Sequence, residues 1–492
     1  MFKVLIKYKY LVILALFFFL LRIPSLFEPY WYGDEGIYLV LGQAIRKGVT
    51  LYSRIHDNKP PTLYYLAAMA HTVFGFRLLL LFFMAPTIYF FHRLNQLFLS
   101  SKAAKVATFI FLILTSIPYF EGNIANAEVF MLLPTILAIY LFCKKNLSSK
   151  KSNLSIKYLI IIGLLLGFTF TIKIPVAIEF LFLCLWFFID ELDSFKKVFS
   201  KIFNLFIFGL SFLLPIVLWS IYFYFKGAIK PFLAASLFQN FGYLSSWSTG
   251  TQTSSLSSGG VVTRFLILLI VWFVIFILNN RGLISKKFSF ILFWFSATIF
   301  GSLLSARPYP HYLIQVLPPL TLLVIEIFNF KNKKNQFLSL LSIFIFALII
   351  YKFSFYFYPI SSYYSNFYSY SLGRKSLPDY RNYFGSEVNN IYKISDFIKS
   401  NTNPNDKIFI WGDQAYIYAL SNRLSATKYT VAYHIVDFDG YQITMDKLKA
   451  NLPKFIIYYQ MPGRPFPNLD SFISKYYFVA STIGNTTIFK FR

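Results

Sequence analysis

The stretch LVILALFFFLLRIPSLFEPYWYGDEGIY, residues 11–38, decides the fold, because an apolar run is followed closely by two adjacent acids, Asp34 and Glu35. A bilayer core of about 30 Å needs about 20 apolar residues per helix, and this run is long enough to cross it. No small-x-small cleavage motif follows the run, but further apolar runs do. We therefore expect a first transmembrane helix and not a signal peptide, with the two acids in the first loop outside the membrane.

The composition predicts a polytopic membrane protein. Soluble domains average about 45–50% apolar residues, whereas this chain of 492 residues has 57% hydrophobic and 21% aromatic residues. The formal net charge is +27, but most basic residues fall in short clusters between apolar runs, as in cytoplasmic loops. We therefore expect no nucleic-acid partner. Cys143 and Cys184 lie in apolar runs and fit neither a zinc nor a disulfide pattern.

The apolar runs predict about eleven spans, near residues 9–27, 76–92, 103–119, 125–143, 157–173, 175–190, 202–225, 261–279, 288–305, 311–328 and 336–358. The segment 62–75 is apolar but short, and Gly75 and Arg77 separate it from the next run. If this segment lies at the outer interface without crossing, the Lys and Arg clusters fall on the cytoplasmic side, as the positive-inside rule requires. We expect a multi-pass protein of the cell membrane with a cytoplasmic N-terminus.

This topology places the C-terminal tail and four segments on the outer face, namely residues 28–61, 119–128, 226–260 and 306–311. Residues 245–260, SSWSTGTQTSSLSSGG, form either a plain linker or a mobile flap over a site. We expect two domains: a transmembrane catalytic domain over 1–358, with its first outer loop at 28–61, and an extracytoplasmic α/β domain over 359–492.

The polar tail carries short strand and helix patterns. Residues 406–412 and 454–459 predict strands, and DQAYIYALS between them predicts a helix. The stretch FVASTIGNTTIFKF predicts a hairpin that turns at Gly484 and Asn485. Because no Gly-rich phosphate loop follows a strand, we expect no nucleotide site in this domain.

The acids Asp34 and Glu35 have two interpretations. An acid at this position favours the positive end of a following helix, as in capping. Capping needs only one acid, however, and a mixed aromatic setting beside the membrane raises a carboxylate's pKa toward the range of a general base. The pair is therefore a candidate catalytic group.

The stretch HDNKPPTLYY, residues 56–65, presents Lys59 just before two prolines that cannot continue a helix. Lys59 is either a lysine that snorkels to the interface or a cation held for a phosphate group. In the second outer loop, Glu128 stands at the start of a span, with Glu121 as its nearby competitor. Helix capping and catalysis both explain an acid there.

The stretch SARPYPHYLIQVLPPL, residues 305–320, brings Arg307, His311 and Tyr312 onto one outer loop. The intervening prolines exclude simple helical facing of Arg307 and His311. These residues either anchor the chain at the interface or bind a phosphate at headgroup depth.

The predicted outer face carries both acids and cations. A reaction in which a phosphate departs needs both, because a base activates the acceptor and cations stabilise the leaving phosphate. No Walker, kinase or GxSxG motif is present.

The array Asp34-Glu35-x-x-Tyr38, then Lys59-Pro60-Pro61, then an acid in the second outer loop resembles family 39 glycosyltransferases. These include protein O-mannosyltransferases and the bacterial aminoarabinose transferase acting on lipid A. The string from Arg307 to Pro319 looks like their bacterial relatives of unassigned substrate. The resemblance covers roughly residues 1–330 and is strongest over 28–70.

The resemblance implies a GT-C fold with interfacial helices in the first outer loop, and inverting transfer from a polyprenyl-phosphate sugar to a lipid, glycan or protein acceptor. Asp34 would then be the catalytic base, with Glu35 assisting and Glu128 as a further catalytic acid. Lys59 and Arg307 would bind the lipid phosphate, and Tyr38, His311 and Tyr312 would line the substrate site.

Two departures from the family bear on these roles. The aminoarabinose transferase has an acid immediately before its lysine, where this chain has Asn58, and the family often has Asp where Glu128 stands. We therefore expect no metal and no other cofactor, although the sequence stays compatible with a divalent cation.

The main alternative is a polyprenyl-linked glycan transporter, flippase or polymerase. Such proteins place ionisable residues along a pathway in the membrane, and Lys173, Glu179 and Glu326 are the candidates here. No internal repeat supports a transporter built from duplicated halves. A third possibility is a sensor or assembly protein whose soluble tail performs the function.

Overall fold

The computed structural model describes residues 9–147, 154–189, 195–240, 260–329, 332–461 and 463–492. Most of these residues are helical, and one small sheet lies near the C-terminus. The chain divides into two compact units. The first unit contains residues 1–23, 80–219 and 239–360, and the second contains 24–79, 220–238 and 361–492. The predicted linker or flap at 245–260 lies, up to residue 259, outside the described residues.

In the described part of the chain, seven helices are long and apolar enough to cross a membrane. They are Lys9–Leu26, Val73–Phe98, Ala127–Asn146, Val198–Phe225, Gly260–Asn280, Pro310–Ile327 and Lys333–Lys352. The four other predicted spans coincide with shorter helices, Ser101–Leu114, Ile156–Phe170, Val176–Ile189 and Lys286–Ser302. The positions of the predicted spans are therefore those of helices, whereas the count of eleven crossings and the assignment of sides stay predictions.

Two of these helices are interrupted. Ala127–Asn146 consists of Ala127–Phe130 and Leu132–Asn146, and Pro310–Ile327 of a 3₁₀ turn, Pro310–Val316, followed by Leu317–Ile327. Proline starts that turn, and two more prolines open the helix that follows it, positions where a missing N–H costs little. The full helix that includes Val198–Phe225 is Phe195–Phe225, and a short 3₁₀ helix covers Pro118–Phe120.

Close helix packing in the first unit depends on small residues. Gly163 and Gly167 lie one turn apart on Ile156–Phe170 and face Phe195–Phe225. A Cβ atom at Gly167 would lie 2.1 Å from the carbonyl oxygen of Phe212, and one at Gly163 would lie 2.7 Å from the Cβ of Ser211. The spacing of the two glycines is the small-xxx-small pattern that lets membrane helices approach closely.

The first loop of the second unit contains two helices, Gly33–Arg46 and Thr62–Ala70. The second begins directly after Pro61 and ends at Ala70, and the next residue, His71, has a positive φ of 66°. The predicted short segment at the start of 62–75 is therefore a separate helix. Gly75 and Arg77, expected to separate this segment from the next apolar run, both lie inside Val73–Phe98, so that helix begins earlier than the predicted residue 76.

The C-terminal residues form a five-stranded sheet: β1 Lys407–Trp411, β2 Leu424–Ser425, β3 Phe455–Tyr459, β4 Tyr477–Ile483 and β5 Thr486–Phe491. The strand order is β2-β1-β3-β5-β4. The first three strands are parallel, and β5 is antiparallel to β3 and β4. The predicted strands and the hairpin are confirmed, and its turn has Gly484 at φ 56°, where glycine is favoured.

Helices surround this sheet, and further short helices complete the second unit. They are Ile229–Leu233, Ile360–Ser371, Leu377–Asn382, Val388–Ser400, Tyr416–Ser421, Ala432–Asp437, Tyr441–Asn451 and Leu469–Tyr476. A short π-helix covers Ala234–Phe238. A core of buried aromatic and aliphatic side chains, among them Phe409, Ile456 and Ile473, joins the sheet to the helices Ala432–Asp437, Tyr441–Asn451 and Leu469–Tyr476.

Candidate active site

The predicted residues Asp34, Tyr38 and Lys59 meet in the first loop of the second unit. The Nζ of Lys59 lies 3.3 Å from Oδ2 of Asp34. The hydroxyl of Tyr38 donates to the same Oδ2 at 2.9 Å. The ammonium group of Lys59 also lies over the Tyr38 ring, 4.9 Å from its centroid. The two charged side chains keep 28% and 18% of their surfaces exposed, so Asp34 and Lys59 are accessible to a ligand.

The local sequence explains this geometry. Asp34 and Tyr38 are four residues apart on Gly33–Arg46, so their side chains share one helix face. The N-cap of the helix is Tyr32, which makes no side-chain cap, and Asp34 lies in the first turn. Asp34 is therefore not the cap, although its charge suits the helix N-terminus.

The backbone of Lys59 is held by two tyrosines. Its N–H donates to the Tyr64 hydroxyl at 3.1 Å, and its carbonyl accepts from the Tyr52 hydroxyl at 2.8 Å. Burial raises the pKa of both tyrosines well above the usual value, so both hydroxyls stay protonated. The prolines at 60 and 61 then direct the chain into Thr62–Ala70.

Glu35 has a different environment from its neighbour. It is 1% exposed and binds the Arg77 guanidinium through two hydrogen bonds of 2.8 and 2.6 Å. Arg77 also contacts Glu28, with 2.7 Å between Nη1 and Oε2. The Tyr363 hydroxyl donates to the other oxygen of Glu28 at 2.5 Å. The two adjacent acids thus lie on differently solvated sides of one helix turn.

A second cluster of ionisable residues lies in the first unit. Glu128 is 2.6 Å from the Nζ of Lys173. His311 contacts Glu121 through Nδ1, and its Nε2 lies 4.0 Å from Glu128. The ammonium group of Lys173 lies 4.9 Å from the centroid of the Tyr312 ring. The structure thus groups the predicted residues Glu128, His311 and Tyr312 with Glu121 and Lys173.

The alternative interpretation of Glu128 as a helix cap does not describe this geometry. The N-cap of Ala127–Phe130 is Asn126, and Glu128 pairs with Lys173 across the chain. This cluster repeats the pattern of the first, because in both a carboxylate in the first turn of a helix pairs with a lysine whose ammonium lies over a tyrosine ring. Arg307 precedes His311 in the chain and is half-buried, and its backbone N–H donates to the Ser305 hydroxyl at 3.4 Å.

Sequence reasoning missed several residues of these clusters. From the sequence alone, Arg77 is only a separator between apolar runs, Lys173 only a pathway candidate, and Glu28 has no assigned role. Arg77 and Lys173 do carry a signal, because a charged residue at the end of an apolar run needs a partner. Within the described ranges, no group of three or more His, Cys, Asp or Glu side chains is arranged to hold a metal ion. The expected absence of a metal stays a prediction.

A solved structure matches almost the whole chain. ArnT from Cupriavidus metallidurans, bound to undecaprenyl phosphate, aligns with 98% of this chain and 98% of its own length, at a TM-score of 0.59 and 12% sequence identity. The chain has a GT-C fold. Archaeal oligosaccharyltransferase AglB from Archaeoglobus fulgidus, in complex with an inhibitory peptide and a dolichol-phosphate, also aligns, at a TM-score of 0.46 and 13% identity over 93% of this chain and 70% of that one.

The C-terminal part of this GT-C chain matches a protein family by sequence. Residues 389–492 match a family described as the putative competence-induced protein Ccs4 C-terminal domain. No curated protein matches the chain in sequence. The GT-C fold and the apolar helices together make this a multi-pass membrane protein.

Proposed function

We propose that the chain is an integral-membrane glycosyltransferase. It transfers a sugar from a polyprenyl-phosphate-linked donor to a lipid, glycan or protein acceptor on the outer face, with inversion at the anomeric carbon. The ion pair between Asp34 and Lys59 supports the proposal most directly, because it holds a carboxylate and a cation 3.3 Å apart. The fold adds support, since ArnT was solved with undecaprenyl phosphate bound.

The two side chains supply complementary parts of the reaction. Asp34 accepts the proton of the acceptor hydroxyl as the acceptor oxygen attacks the anomeric carbon. The bond between that carbon and the phosphate oxygen breaks, and its electron pair leaves with the lipid phosphate. The ammonium group of Lys59 stabilises the charge that develops on the departing phosphate. No nucleotide is consumed, because the phosphate ester of the donor is already activated.

Donor binding would also free the base. Without a ligand, the ammonium group of Lys59 is paired with the carboxylate of Asp34 at 3.3 Å. The phosphodiester of the donor is itself an anion and competes with Asp34 for the ammonium group of Lys59. Tyr38 continues to hold Asp34 through its hydroxyl. Asp34 therefore becomes an effective base only when the donor phosphate is bound.

The remaining predicted residues take supporting roles in this proposal. Both carboxylate oxygens of Glu35 accept hydrogen bonds from Arg77. Glu35 therefore assists by fixing the helix that carries Asp34. Glu128 remains a proposed catalytic acid, with Lys173 as its counter-ion. His311, Tyr312 and Arg307 remain proposed substrate-binding residues.

Mass spectrometry of surface glycans and lipids tests the proposal in cells that carry the gene, lack it, or carry Asp34→Asn. We expect one sugar modification to be lost both without the gene and in Asp34→Asn. Asp446→Asn is the matched control, since Asp446 is exposed on Tyr441–Asn451 and accepts a hydrogen bond from the Gln442 side chain on its own helix. If Asp34→Asn membranes retain the modification at the wild-type level, Asp34 is not the catalytic base.

A lipid transporter is the second candidate, favoured by the ionisable cluster of Glu121, Glu128, Lys173 and His311. Such groups in or beside membrane helices mark transport pathways in other proteins. Proteoliposomes loaded with undecaprenyl phosphate distinguish the two functions. Movement of the lipid between leaflets, with no covalent change in any glycan in the cellular assay, would favour transport.

A further inference from the structure

The loop that carries Lys59 rests on the C-terminal module, defined as residues 389–492. The backbone N–H of His56 donates to the carbonyl of Lys428 at 3.0 Å. The His56 ring packs edge-to-face on Tyr429 and Phe438, with centroids 5.2 and 5.0 Å apart. His56 is 1% exposed. The chain is thus fixed to the module three residues before Lys59.

Asp57 makes a second contact with the module. Its Oδ1 lies 3.5 Å from Nε2 of His434, on Ala432–Asp437, and both side chains are buried. The same Oδ1 accepts the backbone N–H of Asn58 at 2.7 Å, which fixes the chain direction just before Lys59. Burial raises the pKa of Asp57, but the charges of Lys59 and His434 outweigh it, so the net pKa lies below its usual value. Asp57 is therefore an ionised, buried acid between Lys59 and the module.

The helix that carries Asp34 rests on the same module. The Tyr416 hydroxyl donates to the carbonyl of Trp31, just before the helix begins. The Tyr416 ring also packs so closely on Gly36 that a Cβ atom there would lie 2.5 Å from it. Farther along, the side-chain amide of Gln43 donates to the carbonyl of Arg423 at 3.0 Å. The segments that carry Asp34 and Lys59 therefore both contact the C-terminal module.

We infer that the C-terminal module is a positioning element of the active site, in which Asp57 and His434 hold Lys59 against Asp34. The inference rests on the proposed function and gives the module a role in it. Two independent attachments, through His56 and Asp57 on one side and through Tyr416 on the other, set the distance between the base and the phosphate-binding cation. His434 acts through Lys59 and touches no reacting atom.

A double-mutant cycle tests the inference with the full-length protein in detergent. Binding of undecaprenyl phosphate is titrated by native mass spectrometry for wild type, His434→Leu, Lys59→Gln and the double variant. Leu fills a similar volume but cannot contact Asp57 as a hydrogen-bonding group. We expect His434→Leu to weaken binding about tenfold, the loss of one charge-assisted contact. In the Lys59→Gln background the same change should have no further effect, because interacting residues are non-additive.

Two control variants separate positioning from folding. His434→Gln restores a hydrogen-bonding group toward Asp57 and should bind undecaprenyl phosphate within about threefold of wild type. Ile473→Val loosens the buried core of the module without changing a charged or hydrogen-bonding group, and it should leave binding unchanged.

Three results would overturn the inference. One is that His434→Leu binds undecaprenyl phosphate as tightly as wild type. Another is that His434→Leu weakens this binding by the same factor in the wild-type and Lys59→Gln backgrounds. In either case the proposed function survives, provided that Lys59→Gln itself weakens binding. The third is unchanged binding by Lys59→Gln, which would remove the phosphate-binding cation of the proposed function and this inference with it.

Discussion

Arg77 and Glu35 form a buried pair joined by two hydrogen bonds, from Nε to Oε1 at 2.8 Å and from Nη2 to Oε2 at 2.6 Å. Both side chains are at most 2% exposed. Asp34, the next residue along the chain from Glu35, keeps 28% of its side chain exposed. Two adjacent residues of one helix turn therefore differ in role. Glu35 stabilises the structure through Arg77, whereas Asp34 is accessible to a substrate.

Substitutions at the two acids should separate stability from activity. Glu35→Gln removes the charge from the two hydrogen bonds to Arg77 while Glu28 stays as its charged partner, and a hydrogen bond to a charged group contributes about 1.5–3 kcal/mol. We expect a lower unfolding temperature for Glu35→Gln, measured by tryptophan fluorescence on the purified protein. Asp34→Asn breaks a partly exposed pair worth about 0–1 kcal/mol, so its unfolding temperature should stay near that of wild type. Equal unfolding temperatures for the two variants would contradict this division of roles.

The sequence predicted the fold better than the site, and the reason is physical. Apolar runs, prolines and glycines are local signals. The helices, the helix start after Pro61 and the hairpin at Gly484 could therefore be predicted from short stretches of sequence. The partners of buried charges are not local. Nothing in the stretch around Asp57 indicates that His434 lies beside it.

The same limit explains which site residues could be predicted. Asp34, Tyr38 and Lys59 were singled out by residue type and resemblance, and since they come from one loop the structure brings them together. Glu128 was recognised as unusual, but its partner Lys173 follows a different helix. A charged residue at the edge of an apolar run indicates that a partner exists, although only tertiary packing tells which residue it is.

The pair of Glu128 and Lys173 should behave as a coupled unit. The two side chains are 2% and 15% exposed, so Lys173→Met leaves a buried carboxylate without its nearest cation. We expect this change to lower the free energy of unfolding by about 3–5 kcal/mol. Combining it with Glu128→Gln removes the uncompensated charge and should recover part of the loss. Thermal unfolding of the two single variants and the double variant measures the coupling, and purely additive losses would contradict it.

His434 should make stability depend on pH. Burial lowers its pKa below the usual 6.5, with Asp57 acting in the opposite direction. The unfolded chain then binds a proton more readily than the folded chain does, so stability is complete above pH 6.5 and falls as pH drops toward the folded pKa. We expect the unfolding temperature of purified His434→Gln to change less with pH, in the range just below pH 6.5, than that of the wild-type protein. An unchanged slope in that range would exclude His434 as its source.

Asp57 should contribute in a separate, more acidic range. Burial raises its pKa, but Lys59 and His434 together bring the net pKa below the usual 3.8. Its contribution to stability is therefore complete above pH 3.8 and is lost as pH falls through the folded pKa. We expect Asp57→Asn to reduce the loss of stability below pH 3.8, as measured by thermal unfolding at a series of acidic pH values. A variant that loses stability as steeply as wild type in that range would contradict the assignment.

Two glycines on one helix provide a matched test of how closely the C-terminal module packs on Asp34's helix. A Cβ atom at Gly36 would lie 2.5 Å from the Tyr416 ring, whereas one at Gly33 would have nothing within 4 Å. Gly36→Ala therefore overpacks the contact and should cost about 1–3 kcal/mol of stability. Gly33→Ala should be neutral or stabilise the helix by up to about 1 kcal/mol. Adding Tyr416→Leu to Gly36→Ala relieves the overlap. The unfolding temperature of the double variant should therefore fall by less than the sum of the decreases in the two single variants. If Gly36→Ala is as stable as Gly33→Ala, the helix does not press on Tyr416.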